Sequence, residues 1–456
     1  MSTHPLSFRP FVALQESRPV HGLAQLTLIA LICLSVTLPV ITISSSLPWF
    51  KIEQLALPAI FLAYLWMVLA GFVVPIQPNM LFAVGAVYAV CVSLSLVYGS
   101  VLLGHDLVLS DFYEIPKALL PVAFFTLGLE ARLSERNIRR LLSWFSAALV
   151  LVCLYAWAQW MDLGISHFLA PFYSGGAHDE GALSHYRRVY STMGNPNILG
   201  QLMTWGLTAF ALALWFEVGN RFRNLALAAA CLITMVMTGS RYGIIDTAIA
   251  MLLISWLAWK SRRRRSFAFL ALLVILPATA WTVFGVAGTN RATLDRLETL
   301  RNPLTTDSLR GRVDELWQDA ADRFLESPVL GHGPAKSIFA GIITDSEYLD
   351  VLKEFGLVGF MVYLLYFLVP LRSLWNALRY SVWSALDVQP QWTGRLWLIR
   401  TAFVMGVIAL AMNIGMSTFY SQPLQGFLWM WLGAGVGAAR DFESTTRFQK
   451  PSEPNV

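Results

Sequence analysis

Six side chains give this sequence its chemical capacity. Arg188, Arg241 and Arg312 carry guanidinium groups, which stay ionised and pair the oxygens of phosphate-type anions two at a time. His332, Asp345 and Glu347 carry groups that can take a proton from a hydroxyl. Asn195 and Asn197 flank Pro196, where an amide side chain can cap a helix or hydrogen-bond a polar ligand. Each has a plainer reading. Arg188 can be half of a solvated pair with Arg187, Arg241 can snorkel at a membrane surface, and Arg312 can pair with Glu315. Glu347 can complete a capping box, Asp345 can complement a helix dipole, and His332 can shape a turn.

The elements that position these residues are membrane spans. The chain has 456 residues, of which 56% are hydrophobic and 13% charged. A soluble domain carries about 25% charged residues. The apolar residues form runs long enough to cross a bilayer near 23–43, 55–74, 81–97, 113–129, 141–161 and 198–216. More follow near 225–238, 242–259, 267–286, 351–371, 401–419 and 424–439. The expected fold is an all-α polytopic membrane protein of about twelve spans, a bundle over residues 23–440. The first run starts behind a polar lead, residues 1–22, and has span length, so it reads as an anchor rather than a cleaved leader.

Basic residues orient the bundle. Arg132, Arg136, Arg139, Arg140, Arg221, Arg223, the block Arg262–Arg265, Arg372, Arg379 and Arg395 fall on one side if both termini are cytoplasmic. The net charge of +5 therefore marks cytoplasmic loops and not a nucleic-acid surface. Two long loops, 162–197 and 287–349, then lie outside, and a polar tail, 441–456, lies inside. The outer loops hold arginines against the charge bias. The four cysteines, Cys33, Cys91, Cys153 and Cys231, sit in apolar runs with no metal-ligand or disulfide spacing. Asp246 is a carboxylate inside a span, where an ionisable group is a functional candidate or a buried partner. Trp160, Tyr173, Tyr186 and Tyr190 are outer aromatics that can stack on sugars or anchor the spans.

The second outer loop has its own pattern. From Thr306, Leu309, Val313, Leu316, Trp317, Ala320 and Phe324 recur at helical spacing. Ser327-Pro328 ends that helix, and Gly331-His332-Gly333-Pro334 makes a turn. Thr344-Asp345-Ser346-Glu347 reads as a capping box, with Thr344 as N-cap and Glu347 reaching back. The helix it opens runs into the tenth span.

Three segments together resemble the O-antigen ligase and Wzy polymerase superfamily. They are Arg188 through Gly194-Asn195-Pro196-Asn197, then Thr238-Gly239-Ser240-Arg241-Tyr242-Gly243. The third runs from Arg312 and Trp317 through Pro328 and Gly331-His332-Gly333 to Tyr348-Leu349 and Glu354-Phe355-Gly356. The resemblance covers about residues 188–359; the first five spans match only as generic membrane helices. It implies an enzyme of the bacterial inner membrane that transfers or polymerises glycans carried on undecaprenyl diphosphate. It implies that Arg188 and Arg241 hold the lipid diphosphate. Ligases of the family carry a His-Asn pair before the Tyr-Leu position, where this chain has Asp345 and Ser346. That departure points from ligase toward polymerase.

Such a transfer needs two things. The diphosphate that leaves gathers charge, and the early outer loops offer no acidic pair to hold a metal; Asp106 and Asp111 share no motif. Arginines do that work without a metal or cofactor, and Arg188, Arg241 and Arg312 are the candidates. The acceptor hydroxyl must also lose its proton, to Asp345 first by position, then Glu347, then His332. Asn195 and Asn197 are candidate sugar contacts. The expected partners are the lipid-linked donor and acceptor, membrane lipid and a chain-length regulator, with no nucleic acid. The in-class alternative is an O-antigen ligase or a protein O-oligosaccharyltransferase. The alternative from another class is a transporter or flippase, which would place its charges near the bilayer midplane in paired, broken repeats.

Overall fold

In lipid, each backbone amide must find its partner within its own segment, so apolar runs of this length fold as helices. The computed structural model describes residues 18–39, 51–70, 79–173, 188–259, 312–339, 344–383, 392–416 and 422–448. Among them there is no strand. The helices are α1 (Arg18–Thr37), α2 (Ile52–Leu69), α3 (Met80–Val101), α4 (Leu109–Glu130), α5 (Glu135–Trp160) and α6 (Gly164–Tyr173). Then come α7 (Pro196–Trp215), α8 (Arg221–Met237), α9 (Arg241–Trp259), α10 (Gln318–Glu326) and the single turn α11 (Lys336–Phe339). The chain ends on α12 (Glu347–Trp383), α13 (Thr393–Met412) and α14 (Gln422–Phe448). Seven of the described helices are long and apolar enough to cross a membrane. The expected span at 267–286, the basic block at 262–265, Arg187 and Tyr186 lie outside the described residues, as does the start of the outer helix at 306–311.

The core gathers around α14. Phe427, Trp429 and Trp431 are fully buried. Phe427 stacks on Trp205 of α7, and Trp429 meets Tyr366 and Phe367 of α12. Small residues let α4 and α14 touch along their backbones: a Cβ on Gly128 would overlap Met430, and one on Gly433 would overlap Phe125.

Side-chain bonds sort the helix ends into two groups. At one end, Gln25 of α1 meets the Arg132 carbonyl, Glu135 of α5 accepts from Gly394 N, and Arg395 faces Asp441. Arg132, Arg136, Arg139, Arg140, Arg221, Arg223, Arg372 and Arg379 belong to this basic end. At the opposite end lie the tips of α1, α3, α5, α8 and α13 and the starts of α2, α4, α7, α9, α12 and α14. Both segments that carry the candidate residues lie there.

Two local expectations change. The helix read as running from the outer loop into the tenth span is broken. α12 is interrupted at Gly356, whose φ of 63° and ψ of −168° are non-helical, so Glu347–Phe355 is a separate outer piece. The helix start is also displaced. α12 begins at Glu347, and Leu349 N donates to Ser346 Oγ at 3.5 Å, so Ser346 is the cap. Thr344 Oγ1 accepts from Ser346 N at 3.2 Å in a preceding turn. Glu347 therefore occupies the first helical position, too early to reach back, and it turns inward and is fully buried.

Candidate functional site

The first element of the site is the segment before α7. Val189, Tyr190, Ser191, Thr192 and Met193 are all buried, in a chain that dips into the bundle. Its polar groups are met there: Tyr190 N and Ser191 N donate to Gln159 Oε1, and Ser191 Oγ and Thr192 Oγ1 donate to the Val152 and Val36 carbonyls. Gly194 at φ 67° turns the chain out, Asn195 caps α7 by accepting from Asn197 N at 2.8 Å, and Pro196 takes the first turn. Asn195 thus has the capping role.

Arg188 is fixed by this fold. Its Nε donates to the Thr238 carbonyl at 2.8 Å, and its Nη2 donates to Asn197 Oδ1 at 2.8 Å. Asn197, read as a candidate sugar contact, holds the guanidinium through Oδ1. Gly239 has φ 57° and lies against the Arg188 stem, which brings the Arg188 segment to the start of α9. There Ser240 Oγ accepts from Gly243 N, and Arg241 stands as the first residue of α9, partly exposed. The two outer arginines thus flank one junction, the Thr238-Gly239-Ser240 link between α8 and α9. A helix N-terminus adds its own positive end to that junction.

The second element is the start of α12. Tyr348 N donates to Asn413 O at 3.4 Å, its hydroxyl donates to the Leu410 carbonyl, and Asn413 Nδ2 donates to Tyr363 Oη at 2.6 Å. The turn after α13 also reaches α9: a Cβ on Gly415 would strike the Tyr242 ring. That turn therefore links the Arg241 helix to the helix of Glu347. Asp345 sits just before it, partly exposed, with φ 56°. A left-handed carboxylate is an uncommon conformation that the surrounding turn must sustain. Arg312 opens a π-type turn, Arg312–Trp317, and Trp317 Nε1 donates to the Thr344 carbonyl at 2.9 Å. The outer helix is thereby tied to the same corner; the Arg312 side chain is not among those described.

The third element explains the two glycine motifs. The break at Gly356 leaves backbone groups without helical partners. The segment after α10 supplies them. His332 N donates to Lys353 O at 3.0 Å and Gly333 N to Glu354 O at 2.8 Å. In return Leu357 N donates to Pro328 O at 2.8 Å and Val358 N to Val329 O at 3.3 Å. Gly331 and Gly356 face each other with no room for a Cβ on either. Irregular backbone at this depth persists only where protein meets its polar groups.

Charge locks this staple. Lys336 Nζ lies 3.5 Å from Glu114 and 3.4 Å from Glu354, and Lys336 N donates to Asp111 Oδ1 at 2.8 Å. Burial would lower the Lys336 pKa, but Glu354 and Glu114 outweigh it and hold the ammonium above its ordinary value. The meeting of Asp111, Glu114, Lys336 and Glu354 is not legible in the sequence: no spacing links residues so far apart. His332 belongs to the same lock. Its Nε2 lies 2.8 Å from the Arg323 carbonyl, which can only accept, so Nε2 carries the proton. Nδ1 then accepts from His105 Nε2 at 3.2 Å. With both ring nitrogens engaged, this imidazole is built to hold the turn.

Asp246 is fully buried on α9, and neither of its oxygens has a hydrogen-bond partner among the described residues. Tyr190 is buried in the dipping segment, and Tyr173 Oη donates to the Thr37 carbonyl at 2.8 Å, so both serve packing and anchoring.

Residues 226–364 match the family model described as O-antigen ligase. The O-antigen ligase resemblance holds. The matched segment contains Arg241, Arg312, His332, Asp345 and Glu347, and the whole glycine staple. It stops short of Arg188, yet that arginine is bonded to Thr238 inside it. No curated protein matches the chain. The chain is thus a multi-pass membrane protein, all-α over the described residues, with a segment similar to the O-antigen ligase family, whose members act on lipid-linked glycans as ligases or polymerases.

Proposed function

We propose that the chain is a polysaccharide polymerase that joins undecaprenyl-diphosphate-linked repeat units at the outer face of the bacterial inner membrane. The observation that carries the reading is the fixed Arg188 guanidinium beside the Arg241 junction, at the end of the bundle opposite the basic loops. By the charge bias the basic end is cytoplasmic, with both termini, and the arginine end is external. The acceptor hydroxyl attacks the anomeric carbon of the donor sugar. The bond from that carbon to the diphosphate oxygen breaks, and the lipid diphosphate leaves with the electron pair. Arg188 and Arg241 take up the charge that gathers there, with Arg312 on the outer helix as a third cation. A preorganised guanidinium with a second arginine at the same junction suits a site that uses no metal.

Asp345 takes the hydroxyl proton in this scheme. It stands at the mouth of the corner, partly exposed, while Glu347 lies buried behind it. His332 leaves the reacting set, because both of its ring nitrogens are committed to the staple, while Asn195 and Asn197 commit their Oδ1 atoms to the cap and to Arg188. The second reading is an O-antigen ligase, favoured by the description of the matched family. A deletion strain separates the two. A polymerase leaves single repeat units in place of long chains. Long chains that accumulate unattached on carrier lipid identify a ligase, and an unchanged glycan contradicts both.

A further inference from the structure

α2 packs in an unusual way. Of its 18 residues, the buried ones are Glu53 and Gln54. The apolar side chains Phe61, Leu62, Trp66 and Leu69 are exposed to the surroundings of the bundle. A lipid-facing helix ordinarily hides apolar residues against its neighbours; this one hides its polar first turn. Glu53 rests on Gly426 of α14, where a Cβ would collide with the Glu53 stem. Gln54 Oε1 accepts from Lys51 N at 3.0 Å, and its Nε2 lies 3.5 Å from Gln425 Oε1. Lys51, also fully buried, donates from Nζ to the Leu38 carbonyl at 2.6 Å.

The cluster is incomplete. Among the described residues, both oxygens of Glu53 and Nε2 of Gln425 are buried without a hydrogen-bond partner, and Glu53 lies against Gly426, the residue after Gln425. A buried, unmet polar atom is costly, so an acceptor pair and a donor left open at adjoining helix starts call for an occupant. A carboxylate that accepts and an amide that donates, set next to each other, match the two faces of adjacent sugar hydroxyls, each both donor and acceptor. The cluster lies at the arginine end. The tip of α1 joins the two: Val36 O accepts Thr192 Oγ1 from the Arg188 segment, and Leu38 O accepts Lys51 Nζ.

We propose that Glu53 and Gln425, framed by Gln54 and Lys51, form a carbohydrate subsite that takes hydroxyls of the sugar carried on the lipid diphosphate. This rests on the glycosyl-transfer reading above and adds the place where the glycan is held. The subsite is for recognition; it carries no bond-breaking step.

Binding to the purified full chain in lipid nanodiscs tests it with two probes. One is undecaprenyl diphosphate without sugar; the other is the lipid-linked glycan extracted from cells that lack the chain. Glu53→Gln and Gln425→Leu are expected to weaken the glycan-bearing probe at least tenfold and to leave the bare diphosphate within twofold. Arg188→Ala is expected to weaken both. A variant that loses both probes alike, or neither, overturns the subsite. Unchanged binding of both in Arg188→Ala contradicts the diphosphate clamp and leaves the subsite result to stand on its own. Wild-type protein gives a readout independent of variant folding. Carbodiimide labelling of Glu53 should be slowed by the glycan-bearing probe and not by the bare lipid; equal labelling under both overturns the subsite.

Discussion

Arg188 donates to Asn197 Oδ1 at 2.8 Å, a bond that ties the loop before α7 to the first turn of α7 itself. The Thr238 carbonyl holds Nε from the other side, so the guanidinium has one anchor on α7 and one on the link after α8. A hydrogen bond to a charged group is worth about 1.5–3 kcal/mol.

Asn197→Leu should therefore mis-aim Arg188 without removing its charge. The expected result is roughly a tenfold loss of transfer, on the scale of about 1.4 kcal/mol per decade, with normal membrane insertion. Asn197→Asp, which keeps the acceptor, should recover more of the activity than Asn197→Leu. Equal activity in the leucine variant and wild type would argue that the bond is incidental.

Gly356→Ala tests the staple. The alanine methyl would overlap the Val329 carbonyl, at a residue with φ 63°. A strained left-handed position costs about 1–3 kcal/mol before the overlap is counted. Melting temperature should fall, and amide exchange should speed up at His332, Gly333, Leu357 and Val358. Protection unchanged at those four amides would remove the staple.

Much of this was readable from residue types and some was not. The apolar runs marked the helices, because lipid leaves the backbone no other choice. Arg188, Arg241 and the glycine motifs stood out because charge and glycine are costly at those places. The break at Gly356 was hidden, since Leu352, Phe355, Leu357 and Val358 continue one apolar pattern across it. The cap was misplaced because Thr344 and Ser346 are both good caps, and only the backbone chooses. Lys336, Glu114 and Glu354 could not be linked, because their encounter depends on how α11 docks between α4 and α12.

Lys336→Met removes the cation shared by Glu114 and Glu354, with Lys117 still 3.1 Å from Glu114. Lys336 keeps about a third of its side chain exposed, 32%, so the loss should fall near the low end for a broken buried pair. That is about 3 kcal/mol. Adding Glu114→Gln should restore part of it. A melting temperature equal to wild type in Lys336→Met would show the lock to be dispensable.

Acid should loosen the same docking. Burial pushes the His105 imidazole below its ordinary value of 6.5, with His332 and Arg323 adding to the effect and Glu326 opposing it. The docked form therefore binds fewer protons than the undocked form as pH falls through about 6.5 and below, and docking weakens there; above it, both forms are neutral and nothing changes. Amide exchange across residues 327–339 should accelerate between pH 7.5 and pH 5.5 on the order of severalfold. His105→Gln, which keeps a donor for His332 Nδ1, should reduce that acceleration. A variant as acid-sensitive as wild type would place the effect elsewhere.

In the proposed reaction the arginine pair drives the joining of lipid-linked repeat units. Purified full chain in nanodiscs, given undecaprenyl-diphosphate-linked repeat units and no other enzyme, measures it directly. The expected product is a ladder of longer glycans on carrier lipid, abolished in Arg188→Ala and in Arg241→Ala while both proteins stay folded. No ladder from folded wild-type protein, or an undiminished ladder from either variant, would contradict it.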